Sequence, residues 1–486
     1  MEETNELFRE RLKKLDTLRG LRLYEEPVHP YGDRFERSDS LKGIIESFEE
    51  GKRVKVAGRL RAFRTHGKSS FCDLQDQEGK IQLYLKEDVV GKEAFDFFTA
   101  KVDIGDIVGA QGSLFKTKTG EPSVRVDRFE LLSKNLRPLP EKWHGLKDVE
   151  TRLRQRYVDL IVNEEARAVF ILRSRLIQKM RAFLDAKGFL EVETPMMHPI
   201  PGGAAREPFK THHKALDMDL YMRLAPELYL KKLLVGGFEK VYEIAKSFRN
   251  EGISTQHNPE FTMLEAYAAY WNYEDMMTFV EEMISALAKE LTGSAKVRYG
   301  EQEVDFAPPW KRISFSEKLE AMSGIRPTDS REEIVQKLKE KMKFREVSAN
   351  LSRSQIVNVV TDLLIPNEAK PVFMVDYYTL ISPLAKSRAD DPNVAERFEL
   401  FIGGMEVANG YSELNDPIEQ KKRFEAQLDG AADSSKIDED FLRALEYGMP
   451  PAAGLGVGMD RLTMLLANQT SIREVILFPQ LKPESK

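Results

Sequence analysis

Apolar residues recur along the chain at two different spacings, and each change of spacing marks a new part. In the N-terminal segment Leu7, Leu15 and Leu18 stand among dense charge, which predicts an exposed helix ending near Gly20. Pro27, Pro30 and Gly32 predict loop as far as about Ser40. From about Lys52 to Leu132 the period falls to two. The runs "RVKVAGRL", "SSFCDLQD", "GKIQLYLKE", "DIVGAQGSLFKT" and "EPSVRVDRFELL" are each bounded by turn residues, and five such strands in about 80 residues predict a small closed barrel. "KNLRPLPEKWHGLKDVETRLRQRYVDL" has two prolines and dense charge and reads as a linker entering a helix. In the next helix Asn163 supplies an N-cap, Glu164 and Glu165 suit the positive end, and Val169, Leu172, Leu176, Met180 and Leu184 form one stripe before Gly188. "FLEVETPMM" reads as a strand ending at Pro195. Beyond it strand-like pieces fall in neighbouring pairs, 219–225 with 241–249, 245–251 with 260–267, and 397–402 with 405–411. That favours an antiparallel sheet flanked by helices, so the second part is α+β. The expected organisation is a helical extension over 1–50, a barrel over 51–135, a linker over 136–155 and the α+β domain over 156–486.

Composition changes this picture little. With 486 residues, 42% of them hydrophobic, the chain can bury more than one core. A net charge of −6 implies no blanket attraction to nucleic acid or anionic membrane. The "RLKK" of the first helix is either an RNA contact or a solvated face. The single cysteine, Cys72, allows no internal disulfide, the N-terminus lacks a secretory pattern, and no apolar run is long enough for a bilayer. A cytoplasmic protein is the expectation.

The chemistry concentrates in three stretches. In "SFRNEGISTQHNPEFTMLEAY", read as two antiparallel strands, Arg249 and Glu251 share one face of the first, with His257 in the loop between. On the second, Phe261, Met263, Glu265 and Tyr267 share a face, and Thr262, Leu264 and Ala266 take the other. Glu265 is therefore either on a wet surface or paired and functional, since an unpaired buried carboxylate is costly. In "ERFELFIGGMEVANGYSELND", Gly403-Gly404 forms a hairpin turn that lets Glu399 and Glu406 converge as oxygen ligands for Mg²⁺. Asn409, Tyr411 and Glu413 have the opposite parity to Glu406, so either a bulge near Val407–Ala408 realigns them or Glu406 points elsewhere. In "PPAAGLGVGMDRLTMLLAN", Gly454, Gly456 and Gly458 precede a helix through Leu462, Leu465 and Leu466; they serve either close approach of a ligand or close packing. Two lesser features are the small-residue loop around Gly202 and Gly203, and Glu227, which follows Pro226 at a helix start. In the barrel, Arg64, Phe71 and Gln82 supply a cation, a ring and an amide for single-stranded bases if they lie on its open face; otherwise Phe71 is core.

In this order the motifs resemble those of the class II aminoacyl-tRNA synthetases. "KGFLEVETPMM" resembles the first motif, "FRNEG…HNPEFTMLEAY" the second, and "GLGVGMDR" with Arg461 the third. An oligonucleotide-binding barrel ahead of "KWHGLKDVETRLRQRYVDL" is similar to the subclass of lysyl, aspartyl and asparaginyl enzymes. "PGGAA", "APELYLKKLLVGGFEKVYEI", "SPLAK" and "GYSELNDP" resemble the lysyl branch. The resemblance runs from about residue 5 to about residue 480.

That resemblance implies ATP-dependent activation of lysine and its transfer to the 3′ end of tRNA(Lys), with Mg²⁺, in a homodimer. It implies that Arg249 bridges the lysine carboxylate and the α-phosphate and that Arg461 holds the γ-phosphate. Glu251, His257 and Phe261 would hold the adenosine end, and Glu399 and Glu406 the metal. Gly203, Glu227, Glu265, Tyr267, Asn409, Tyr411 and Glu413 would join Arg249 around lysine, and Arg64, Phe71, Gln82 and Glu121 would meet the anticodon. The chain departs from the family pattern at Arg206, where alanine is usual, at Glu207, where a cation is, and at Tyr378, where proline is. None of the three is expected to touch a residue with an assigned role.

Overall fold

The computed structural model describes residues 2–140, 146, 148–202, 206–342, 351–366, 368–427 and 437–484. The chain divides into two compact units, Met1–Lys147 and Asp148–Lys486.

In the first unit the strands Arg53–His66, Ser69–Gln75, Lys80–Lys86, Ile107–Lys116 and Pro122–Ser133 close into a five-stranded barrel. Alternation fills its interior with Val54, Val56, Cys72, Leu74, Leu83, Leu85, Val124 and Val126. Gly112 stands at a bulge where a Cβ would run into the Arg125 carbonyl, so only glycine lets the two strands approach there. The Lys92–Lys101 helix, absent from the sequence expectation, buries Phe95, Phe97 and Phe98 against the barrel core. The N-terminal helix spans Glu2–Leu18 as expected, yet it is not an exposed element throughout: Leu15 and Leu18 are buried. A two-residue bridge, Arg22–Leu23 with Glu26–Pro27, interrupts the expected loop.

The second unit is built on an eight-stranded sheet. Its strand order is Lys311–Ser314, Val372–Val375, Arg397–Ile402, Met405–Ser412, Ala452–Gly458, Glu260–Ala269, Lys240–Phe248 and Leu190–Glu191. All pairs are antiparallel except the two at the edges. Two of the three expected strand pairs form. The third does not: Met218–Met222 pairs with Lys210–His213 and Met197–His198 in a separate sheet, because both edges of Lys240–Phe248 are already occupied. "FLEVETPMM" is likewise two short pairings, at Leu190–Glu191 and Met197–His198, on either side of Pro195.

One face of the sheet is covered by the Glu164–Ala186 and Tyr273–Thr292 helices, which bury Leu176, Met180, Leu184, Met276, Val280, Met283 and Leu287 against Leu264, Ala266, Leu400, Leu455 and Val457. Asn163 stands at the N-cap, but its amide donates to Asp159 Oδ1 at 2.5 Å instead of capping backbone N–H groups. The other face of the sheet holds the polar side chains. Among the described residues no helix is long and apolar enough to cross a membrane.

Candidate active site

The polar face is organised by strand register. Glu243, Glu265, Gly456, Asn409 and Glu399 lie opposite one another across five neighbouring strands. The adjacent row on that face holds Tyr267, Gly454, Tyr411 and Arg397. Residues opposite in register share a face, so glycines occupy the middle of both rows. A Cβ at Gly454 would overlap the Glu413 carboxylate and the Tyr267 ring, and one at Gly456 would come 3.0 Å from the Met263 methyl. The glycines are thus the floor of a trough in a central strand; the helix Met459–Leu466 begins only after Gly458.

The hairpin Arg397–Ile402 to Met405–Ser412 turns at Gly403 and Gly404, with φ of 57° and 78° that suit glycine. Its register shifts between Leu400 and Phe401, and Val407 and Ala408 both enter the apolar core. This bulge puts Glu406 on the same face as Asn409 and Tyr411, which settles the parity question in favour of realignment.

At one end of the trough lies an acidic cluster. Glu227 begins the Glu227–Val235 helix and accepts a hydrogen bond from the Tyr411 hydroxyl at 2.6 Å. Tyr267 donates to Glu265 Oε2 at 3.1 Å. Glu227, Glu265 and Glu413 are all buried. Burial, with the neighbouring Glu227 charge, pushes the Glu265 carboxyl up to about 8. Glu413 is also pushed up to about 8 by burial, against the opposing pull of Lys231. Glu265 is therefore neither wet nor ordinary.

At the other end the strand Lys240–Phe248 stops before Arg249, so Arg249 and Glu251 do not share a strand face; the Glu251 N–H donates to the Arg249 carbonyl in a tight turn at 2.8 Å. They still converge with the rest of the cluster. The Arg249 guanidinium lies over the Phe261 ring at 5.0 Å, and burial followed by the Arg206 charge holds its pKa below the usual arginine value. Its Nε is buried and has no hydrogen-bond partner among the described residues. Arg461 donates to the Glu406 carbonyl at 2.6 Å and stands 3.2 Å from His257 Nε2. Burial and Arg461 keep His257 below the usual histidine range.

Between the two ends, Glu399 receives Tyr377 Oη at 2.6 Å and Arg397 at 2.5 Å, and Arg397 Nε donates to Asn409 Oδ1 at 3.2 Å. Burial raises the Glu399 pKa, Arg397 opposes it, and the Glu406 charge adds to it. Glu399 and Glu406 stand on the same face of the hairpin, and hard oxygen donors of this kind suit Mg²⁺.

Several residues that order this site have no signal in alternation. Lys231 is fully buried between Glu227 and Glu413. Arg173 pairs with Asp460 at 2.5 Å, and Asp460 accepts the Thr262 N–H at 2.7 Å, which fixes the start of the helix bearing Arg461. Tyr377 stacks on Phe315 at 4.5 Å and so ties Glu399 to the helical segment after Ser314. The expectation for Arg206 is overturned: it pairs with Glu251 at 3.2 Å, because the chain at Glu207 hydrogen-bonds to the Asn250 N–H and brings the loop over the hairpin. Tyr378 is buried with its hydroxyl on the Ile325 carbonyl. Gly203 lies outside the described residues.

In the barrel unit Phe71 is part of the outer face and not of the core cluster. Arg64 is its cross-strand neighbour on one side and Tyr84 on the other, the two rings 4.8 Å apart. Phe115 follows at 5.7 Å from Tyr84, with the Arg125 guanidinium over it at 5.2 Å. Gln82 Oε1 accepts from Ser123, whose hydroxyl also reaches the Glu121 carbonyl. Tyr84, Phe115 and Arg125 continue the aromatic and cationic row of this face beyond Arg64, Phe71 and Gln82.

Comparison with known proteins agrees with both units. Residues 54–132 match the family model for the OB-fold nucleic acid binding domain, and residues 148–482 match tRNA synthetases class II (D, K and N). The lysine–tRNA ligase of Pelotomaculum thermopropionicum is 54% identical over 491 residues, covering 99% of this chain and 96% of the relative. Those of Carboxydothermus hydrogenoformans and Moorella thermoacetica are 52% and 51% identical, covering 99% and 100% of this chain and 99% and 100% of their own lengths. The chain belongs to the class II tRNA synthetases of the D, K and N group.

Proposed function

We propose that the chain is a lysine–tRNA ligase, which activates L-lysine with ATP and transfers it to tRNA(Lys). The observation that carries this reading is the division of charge along one sheet face: buried carboxylates of Glu227, Glu265 and Glu413 at one end, Arg249 and Arg461 at the other. Glu265 lies four residues beyond Phe261 on one strand, roughly 13 Å at about 3.3 Å per residue. An extended lysine and an arginine side chain together span that distance. A substrate with a terminal ammonium and a carboxylate at the far end satisfies both poles, whereas aspartate would set anion against anion.

The lysine carboxylate attacks the α-phosphorus of ATP, the bond to the β-phosphate oxygen breaks, and pyrophosphate leaves. A hydroxyl of the tRNA terminal ribose then attacks the lysyl carbonyl, and AMP leaves. A carboxylate is already a nucleophile, so the chain needs no strong general base for the first step; its work is alignment and charge stabilisation. Arg249 aligns the two anions, with Asn409 on the amino-acid carboxylate; Arg461 holds the terminal phosphate; Glu251, His257 and Phe261 hold the adenosine. Glu265, Tyr267, Tyr411 and Glu413 receive the side-chain ammonium, and Glu227 with the Gly203 loop the α-amine. Glu399 and Glu406 would hold Mg²⁺, which when bound neutralises charge on the polyphosphate. Arg64, Phe71, Gln82 and Glu121 read anticodon bases. The enzyme acts in the cytoplasm as a homodimer; the exposed apolar Leu190, Met196 and Met197 of the first motif support a protein contact there.

ATP–pyrophosphate exchange with each amino acid in turn, followed by charging of total tRNA, tests the reading. Exchange that depends on lysine alone is expected. Exchange with aspartate or asparagine, or none with lysine, overturns it.

A further inference from the structure

Lys231 lies one helical turn after Glu227 and is completely buried. Its Nζ is 2.7 Å from Glu227 Oε1 and 2.5 Å from Glu413 Oε2, and it faces the rings of Tyr411 at 5.5 Å and Phe441 at 5.9 Å. Taking an ammonium wholly out of water is costly, and a helix that only needed to dock could present leucine or methionine there. The position instead places a permanent cation beneath the acidic end of the trough. Glu265 on the Glu260–Ala269 strand also feels this charge, and the Tyr267 and Tyr411 hydroxyls donate to the surrounding carboxylates, Tyr267 to Glu265 and Tyr411 to Glu227.

The charges can be counted. With the carboxyls of Glu227, Glu265 and Glu413 all ionised, the state that a bound ammonium favours, and Lys231 as one ammonium, the cluster carries two negative charges. L-lysine carries two ammonium groups, and its one carboxylate belongs at the Arg249 end. We infer that Lys231 is a positioning residue of the amino-acid pocket, a resident ammonium that fixes the Glu227 and Glu413 carboxylates and leaves two negative charges to match the two ammonium groups of the substrate. This rests on the lysine-pocket reading given above. Without Lys231, three carboxylates would face one another in a buried space, and like-charge repulsion would keep them protonated to higher pH. Burial already lowers the tendency of Glu413 to ionise and Lys231 is what opposes it; the same two carboxylates hold the Lys231 pKa above the ordinary lysine value despite burial.

The test is ATP–pyrophosphate exchange by the full chain between roughly pH 6 and pH 9, with Lys231→Met, Lys231→Arg and Glu265→Gln. For Lys231→Met the KM for lysine is expected to rise at least about tenfold near neutrality, with the KM for ATP within about twofold and the KM–pH curve displaced upward by about one unit. Lys231→Arg keeps the cation, so its curve stays at the wild-type position whatever its KM. A pH-independent change in Lys231→Met, an equal loss in the KM for ATP, or a displaced curve in Lys231→Arg overturns the inference. If Lys231→Met does not fold, the Arg variant decides it: an undisplaced curve supports the inference and a displaced one removes it. Glu265→Gln separates the two levels. An unchanged lysine KM there removes the pocket reading itself; a raised KM there, with an undisplaced curve in Lys231→Met, removes only the role of Lys231.

Discussion

Glu265→Gln changes one oxygen for an amide at nearly constant shape, and the site makes it act in opposite directions on binding and on stability. Glu265 is buried, with a Tyr267 hydroxyl and no cation bonded to it among the described residues. In the proposed complex its partner is the substrate ammonium, and a hydrogen bond to a charged group is worth about 1.5–3 kcal/mol, roughly 10- to 100-fold in the KM for lysine. Without substrate the sign reverses. Its pKa rises from the ordinary 4.5 to about 8 on folding, so the carboxyl is protonated in both states at low pH and costs nothing there. As pH climbs through that window the unfolded chain ionises first, and wild-type stability falls until Glu265 ionises in the folded state as well. A shift of this size sets a ceiling of roughly 5 kcal/mol on the loss. Glutamine does not titrate, so the ligand-free variant is expected to gain on wild type between about pH 5 and pH 8. Urea unfolding at those two pH values measures the gain, and pyrophosphate exchange measures the KM. A variant whose relative stability is the same at both values refutes the electrostatic account; a wild-type KM for lysine refutes the assignment. The same account predicts proton release when lysine binds near neutrality, visible as a calorimetric enthalpy that depends on the buffer's own ionisation heat.

Phe71→Ala is expected to weaken tRNA charging by about 1–3 kcal/mol of lost stacking while lysine-dependent exchange stays at the wild-type rate; loss of both activities would make the ring structural. Arg206→Ala removes an ion pair between two partly exposed side chains, so its melting temperature should barely move. It also removes a cation within reach of Arg249 and His257, so the KM for ATP should rise about two- to five-fold at low salt and less at high salt. A salt-independent effect would point to a direct contact instead. Tyr377→Phe deletes the hydroxyl that Glu399 accepts from, and about tenfold more Mg²⁺ should be needed for half-maximal exchange, with the KM for lysine unchanged. An unaltered Mg²⁺ requirement would separate Glu399 from the metal.

The sequence made some of this legible and hid the rest for definite reasons. Period-two alternation places Phe261, Met263, Glu265 and Tyr267 on one face because the ladder there is regular. It fails at Arg249 and Glu251, where the strand has already ended, and it leaves Glu406 undecided, because one extra residue in the hairpin inverts parity. The barrel strands announce themselves by short runs between turns, whereas the Lys92–Lys101 helix, with Phe95, Phe97 and Phe98 crowded together, has a blurred helical period. The pairing of 219–225 with 241–249 fails for a non-local reason: which strand takes an edge depends on segments far away in sequence. Lys231 and Asp460 carry no pattern at all. A lysine in "LYLKKLL" or an aspartate at a helix start reads as solvated until a buried partner is placed beside it.

The residues that break the rules of a sheet are the ones that make this face a site. A regular strand would carry a side chain at Gly454 and Gly456 and fill the trough from below. A regular hairpin would send Glu406 into the apolar core instead of Val407, where an unpaired carboxylate would be expelled. A well-paired sheet face would not set Glu265 beside the Glu227 and Glu413 carboxylates that share one buried lysine. Each departure is tolerated because the opposite face is regular, with Leu264, Ala266, Leu455 and Val457 packed under two long helices. The stability lost on one side is supplied by the other. Substitutions that weaken the apolar face should therefore affect the acidic cluster first, since its buried charges have the most to gain from local opening. Loosening at Leu264, directly between Met263 and Glu265 in sequence but on the opposite face, would let water reach Glu265 and return its pKa toward that of an ordinary glutamate.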